Sequence, residues 1–230
     1  MLPERQTLIF DADDTLWENN VFFERALEDF MDWVAHPTLD RIQIRAIFTE
    51  LEAANVVAHG YGSRVFLRTL AECFDRLSGR PTTEQERREI DELAAAVVEQ
   101  RVELVPEVAA TLRALGSRHD LHLLTKGVVS EQQRKIDASG LAPHFQTVRI
   151  VAEKNTEVYK TLVTELELRP QWTWMIGNSP RSDILPARRA GLNAVFIPNA
   201  NTWAHEQEEL DPHDNGVLEL ASFADLVTHF

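Results

Sequence analysis

Thr7-Leu8-Ile9-Phe10-Asp11-Ala12-Asp13-Asp14-Thr15-Leu16 begins as an apolar run and breaks into acids. Four residues without polar alternation fit a short strand buried on both faces, as in a parallel sheet. In open α/β sheets ligands sit at the carboxyl ends of the strands. The acids after Phe10 therefore mark a candidate site as well as the end of a strand.

The strand's companions come late. Leu121–Thr125, Val148–Val151, Trp172–Ile176, Ala194–Ile197 and Val217–Leu220 read as further strands, alternating with helical stretches such as Ser130–Ser139 and Glu157–Leu166. That alternation predicts an α/β fold with a doubly wound parallel sheet, Rossmann-like in its core. Between the first strand and the rest lie about 85 residues, too many for a structureless loop. They carry apolar residues at helical spacing: Phe22, Phe23, Ala26, Leu27, Phe30 and Trp33 in one stripe, then stripes beginning at Ile42, Val65 and Ile90. The expected organisation is a core of residues 1–19 and 104–230 with an inserted α-helical cap domain over 20–103. Residues 199–216 read as a long polar connection.

Bulk properties narrow the function. The net charge of −14 repels nucleic-acid backbones and anionic membranes, which argues for no nucleic-acid or membrane partner. No apolar run reaches the ~20 residues of a membrane span, and the opening Met-Leu-Pro-Glu-Arg-Gln lacks the pattern of a secretory signal. Cys73 is the single cysteine, so no intrachain disulfide forms, which suits a cytoplasmic protein. Its place in an apolar stripe points to packing. The histidines show no metal-ligand spacing. Lysine is scarce: Lys126, Lys135, Lys154 and Lys160 are the only four beside nineteen arginines.

The residues just past each strand form a chemical set. After the first come Asp11, Asp13, Asp14 and Thr15; after the next two, Thr125, Lys126 and Gly127, then Glu153 and Lys154; after the fourth, Gly177, Asn178, Ser179 and Asp183. Carboxylates and a carboxamide are hard oxygen ligands suited to Mg2+. A carboxylate beside such an ion can attack phosphorus. A second acid can serve the leaving oxygen and then water, while lysine and threonine hold the transferring oxygens. Gly127 suits a tight loop whose amide approaches phosphate. Asp14 reads as a local capping residue, Lys160 as a solvated helix residue. Arg181 is read equally as an anion contact or a carboxylate partner, and Lys126 equally as substrate-facing or solvent-facing.

Asp11-Ala12-Asp13-Asp14-Thr15 resembles the Asp-x-Asp-x-Thr signature of the haloacid dehalogenase-like superfamily. Leu123-Leu124-Thr125-Lys126-Gly127 resembles its second motif, Lys154 its third, and Gly177-Asn178-Ser179-Pro180-Arg181-Ser182-Asp183 its fourth, usually Gly-Asp-x-x-x-x-Asp. The resemblance implies a phosphoric monoester hydrolase acting on a small phosphorylated substrate, with catalytic Asp11 (nucleophile), Asp13 (acid and base) and Lys154. It implies phosphoryl binding at Thr125, with Lys126 and Gly127 beside it, and magnesium at Asp11, Asp13 (through its carbonyl), Asn178 and Asp183. It places a flap at Trp17, Glu18 and Asn19. Members that cleave carbon–halogen bonds lack the acid found here at Asp13 and need no magnesium. Asn178 departs from the usual aspartate and removes one charge. That departure leaves open a catalytically weak or non-catalytic binding protein on the same fold. A phosphotransferase using the same site is a third reading.

Overall fold

The computed structural model describes residues 5–230. Met1–Glu4, part of the stretch read against a secretory signal, lie outside the described residues. The strands are β1 (Thr7–Phe10), β2 (Trp17–Glu18), β3 (Glu103–Leu104), β4 (Asp120–Lys126), β5 (Thr147–Val151), β6 (Thr173–Gly177), β7 (Asn193–Phe196) and β8 (Val217–Glu219). Six of them form one parallel sheet in the order β5-β4-β1-β6-β7-β8. The order reverses at β1, which is flanked by β4 and β6. The carboxyl end of β1 is thus the switch point, where such sheets bind ligands.

Successive side chains of a strand point to opposite faces. Leu8 and Phe10 enter a core with Leu112, Leu115 and Leu226, while Ile9 enters another with Tyr159, Leu162 and Ala187. Leu123 and Leu124 of β4, and Ile176 and Met175 of β6, divide in the same way. Helices α6 (Val108–Gly116) and α10 (Leu226–His229) thus cover one face, and α8 (Thr156–Glu165) and α9 (Leu185–Arg189) the other. Burial on both faces is why β1 reads as continuous apolar sequence.

The chain divides into two compact units. One runs up to Asn20 and resumes over Val102–Phe230; the other is Val21–Arg101. The second holds α1 (Asn20–Val34, less its first residue), α2 (Arg41–His59), α3 (Ser63–Ser78), α4 (Glu84–Leu93) and α5 (Ala95–Val98). It has its own core, in which the Phe66 ring meets Phe23 and Phe48 edge-on at 5.0 and 5.7 Å. Reciprocal caps at Asp40/Gln43 and Thr83/Glu86 start α2 and α4. The stripe from Ile90 to Val98 is interrupted: Ala94 leaves helical geometry at φ −96°, ψ 17°. The resulting turn lets Ile90, Ala94 and Val97 all be buried. Cys73 is buried in this core and burial pushes its thiol up to about 12, so it stays protonated.

Where the chain leaves and re-enters the first unit, β2 and β3 pair antiparallel, Trp17 opposite Leu104. At two residues each they are too short for a periodic signature. No helix among the described residues is long and apolar enough to cross a membrane.

Candidate active site

The site grows from the loop after β1. The Asp11 N–H donates to the Ile176 carbonyl at 2.9 Å, extending the sheet register by one residue and fixing the side chain at its rim. Asp14 takes a left-handed conformation at φ 60°, a region in which aspartate is enriched. Its carboxylate accepts the N–H groups of Asn19 and Asn20. It caps the loop, and burial pushes it up to about 7 against those two hydrogen bonds.

Lys154 precedes α8 and is buried between two carboxylates. Its Nζ lies 2.5 Å from Asp11 Oδ1 and 2.6 Å from Asp183 Oδ1. Asp183 is wholly buried, and its Oδ2 accepts the Ser179 N–H at 3.0 Å. Two buried carboxylates share one ammonium, so the cluster carries excess negative charge. Burial, then repulsion from Asp183, push Asp11 up to about 7 against the pull of Lys154. Asp183 is raised as well, by burial. Asn178 Oδ1 accepts from the Thr15 hydroxyl at 3.2 Å, and its Nδ2 donates to Thr202 Oγ1. The Thr15 hydroxyl also lies 3.5 Å from Asp11 Oδ2. Asp11, Asp183 and Asn178 offer oxygen donors only, with unbalanced negative charge, and this donor set fits a hard divalent cation. Among the described residues no group of three or more His, Cys, Asp or Glu is placed to hold a metal ion; the third oxygen donor here is the Asn178 carboxamide, joined to Asp11 through the Thr15 hydroxyl.

Gly177 ends β6 because nothing larger fits. A Cβ there would come within 2.2 Å of Asp183 Oδ2. Gly177→Ala is therefore expected to displace a carboxylate that has no free space, costing about 1–3 kcal/mol in urea unfolding and lowering activity alongside.

Asp13 lies beside this cluster and is held by others. Its carboxylate accepts from Trp17 Nε1, Gln132 Nε2 and Lys135 Nζ at 2.6–2.9 Å. Burial opposes its ionisation, but the charge and hydrogen bonds of Lys135, with those of Gln132 and Trp17, outweigh it and hold Asp13 below the usual carboxylate range. Trp17 is fully buried, so this residue of the expected flap packs in the core and serves Asp13. Thr125, at the end of β4, is buried and its oxygen accepts from Gln132 at 2.9 Å, leaving its O–H to donate.

Lys126, the last residue of β4, and Gly127 just past it behave differently from expectation. The Gly127 N–H does not face a ligand: it donates to the Val151 carbonyl at 2.9 Å. Gly127 has φ 135°, so the glycine is needed for the turn rather than for an amide aimed at phosphate. Lys126 turns to Glu206 Oε1 at 2.5 Å and Ser182 Oγ at 2.9 Å. Glu206 comes from the polar connection 199–216 and is kept ionised, against burial, by Lys126 and the hydroxyls of Ser179 and Ser182. Arg181 donates to the His205 carbonyl, and Lys160 pairs with Glu157 on the exposed side of α8.

Reading from sequence missed Gln132, Lys135 and Glu206. Lys135 had a signal: it is one of four lysines, and three of the four end in this cluster. Gln132 and Glu206 had none.

A family model described as haloacid dehalogenase-like hydrolase matches residues 6–191. A phosphoserine phosphatase of Thermus thermophilus is 28% identical over 227 residues, taking in 83% of this chain and 87% of that protein. Among solved structures, a haloacid dehalogenase-like family hydrolase from Xanthomonas campestris superposes with a TM-score of 0.81 at 22% identity, covering 98% of this chain and 94% of that one. The putative hydrolase YfnB of Bacillus subtilis, solved bound to magnesium, has a TM-score of 0.68 at 17% identity and covers 98% of both chains. An L-2-haloacid dehalogenase from Xanthobacter autotrophicus gives 0.64 at 17% identity, covering 97% of each. These last three show a shared fold.

Proposed function

The chain belongs to the haloacid dehalogenase-like hydrolases, and we propose that within this family it is a magnesium-dependent phosphatase of a small phosphorylated metabolite, working through a phosphorylated Asp11. The observation that carries this reading is Asp13, an acid held in place beside the buried Asp11–Lys154–Asp183 cluster. Members that cleave carbon–halogen bonds lack an acid at that position. The likeness to a phosphoserine phosphatase supports the same choice.

In this reading an Asp11 carboxylate oxygen attacks phosphorus, and the P–O bond to the leaving group breaks. Asp13, protonated from the monoanionic ester or solvent as substrate binds, gives the leaving oxygen that proton. Asp13 then takes a proton from water as that water attacks the phosphorus, releasing phosphate and restoring Asp11. Lys154 holds the Asp11 carboxylate in place and offsets charge on the phosphoryl oxygens, and the Thr125 hydroxyl donates to one of them. Asp11, Asn178, Asp183 and the Asp13 carbonyl would hold magnesium, which would supply positive charge favouring ionised Asp11 and balancing the phosphate. Residues 1–19 and 104–230 form the catalytic core, and 20–103 is a cap that selects the substrate. The acidic surface and single buried thiol suit a small metabolite in the cytoplasm.

A panel of phosphate monoesters, assayed with and without magnesium, tests this. Magnesium-dependent phosphate release is expected from the wild type and not from Asp11→Asn. Equal release by both proteins, or none from either across the panel, would overturn the reading.

A further inference from the structure

We propose that Gln132 and Lys135, on helix α7 (Val129–Ser139), are positioning residues for the acid–base step: Lys135 acts on substrate through Asp13, Gln132 through Asp13 and Thr125, and Gln132 is the donor that lets go. This rests on the phosphatase reading above. A carboxylate has about four lone-pair sites. Asp13 fills them: Oδ1 accepts from Trp17 at 2.7 Å and Lys135 at 2.6 Å, Oδ2 from Lys135 at 2.7 Å and Gln132 at 2.9 Å. To take or give a proton, the carboxylate must lose one of these donors.

Counting hydrogens identifies which. Lys135 has three, and they match three acceptors: both Asp13 oxygens and Asn19 Oδ1 at 3.0 Å. The Trp17 indole has one, spent on Asp13. The Gln132 amide nitrogen has two hydrogens but three acceptors: Asp13 Oδ2 at 2.9 Å, Thr125 Oγ1 at 2.9 Å and the Lys126 carbonyl at 2.7 Å. Gln132 alone can leave Asp13 and keep all its own bonds. Its Oε1 is buried with no hydrogen-bond partner, so the nitrogen side dictates how the amide is turned. One of the three acceptors is Thr125, the phosphoryl-binding candidate. Gln132 thereby links the phosphoryl site to Asp13 Oδ2, while Lys135 and the buried Trp17 keep the carboxylate aimed. Gln132 and Lys135 are three residues apart on one helix face, the spacing that lets both reach one carboxylate.

The test compares kcat and KM for nitrophenyl phosphate and glycerol phosphate in the wild type, Gln132→Met, Lys135→Met and Lys135→Arg. Nitrophenolate leaves without a proton; the glycerol alkoxide needs the one from Asp13. Lys135→Met is expected to lower kcat/KM for glycerol phosphate on the order of 10²-fold and to change that for nitrophenyl phosphate less than about threefold. For the aryl ester, kcat and KM should fall together, with a burst of nitrophenol as phosphorylated Asp11 accumulates. Gln132→Met, which keeps charge and volume, should show the same pattern at about tenfold, and Lys135→Arg should restore part of the alkyl activity. Equal losses on both esters, or no loss, would overturn the assignment while leaving the phosphatase reading intact. A wild type inactive on both would overturn that reading and this one together.

Discussion

Lys154→Met is expected to destabilise the protein by about 3–5 kcal/mol at pH 8 without divalent cation, and to remove turnover. The side chain is 2% exposed and its ammonium is shared by two carboxylates, Asp183 at 0% and Asp11 at 9% exposure. Methionine fills the volume, so no cavity contributes. What remains is two buried acids without a counter-charge. Without the lysine both take up protons more readily, so the loss should be smaller at pH 5, below the value of about 7 to which Asp11 is already raised, than at pH 8. Urea unfolding at pH 5 and pH 8 measures both effects. An equal loss at the two pH values would show that the lysine matters for packing rather than charge.

Asp11→Asn should separate stability from activity. Turnover is expected to fall by at least about 10⁴-fold, because the nucleophile is gone. Stability should move the other way. Asp11 titrates at about 7 in the folded protein against an ordinary 3.8, so between those values the native state holds a proton that the unfolded chain has lost. Folding stability therefore declines as pH rises from about 4 to about 7, and the full cost is present above that. The amide avoids that cost and can still accept from Lys154. The variant should match the wild type near pH 4 and exceed it by on the order of 2 kcal/mol at pH 8 in metal-free buffer. Its pH slope becomes shallower without vanishing, since Asp14 is also pushed up to about 7 and remains.

Much of the sheet was legible because buried parallel strands are apolar throughout. Thr7–Phe10 matches β1 residue for residue, and the other strands of the main sheet differ only at their ends. β2 and β3 left no pattern, and Ala94 gives no sign of the turn that splits the last helix stripe. Residues at strand ends come together at one rim because the topology brings them there. Side-chain partners were not legible. Lys126 and Lys154 occupy similar positions after neighbouring strands, yet one reaches Glu206 and the other Asp11 and Asp183. Glu206 lies 80 residues beyond Lys126, in a segment without periodicity. Gln132 and Lys135 sit on a polar helix where solvation is the default reading, and burial alone turned them inward.

In the phosphatase reading, Asp11 carries the phosphoryl group. The wild type, mixed with nitrophenyl phosphate and magnesium, quenched during turnover and treated with borohydride, should yield a peptide in which residue 11 is reduced to homoserine, the product of an acyl phosphate. Asp11→Asn should yield none. Phosphate release by the wild type with residue 11 always recovered as unmodified aspartate, or with the reduction at another carboxylate, would contradict it.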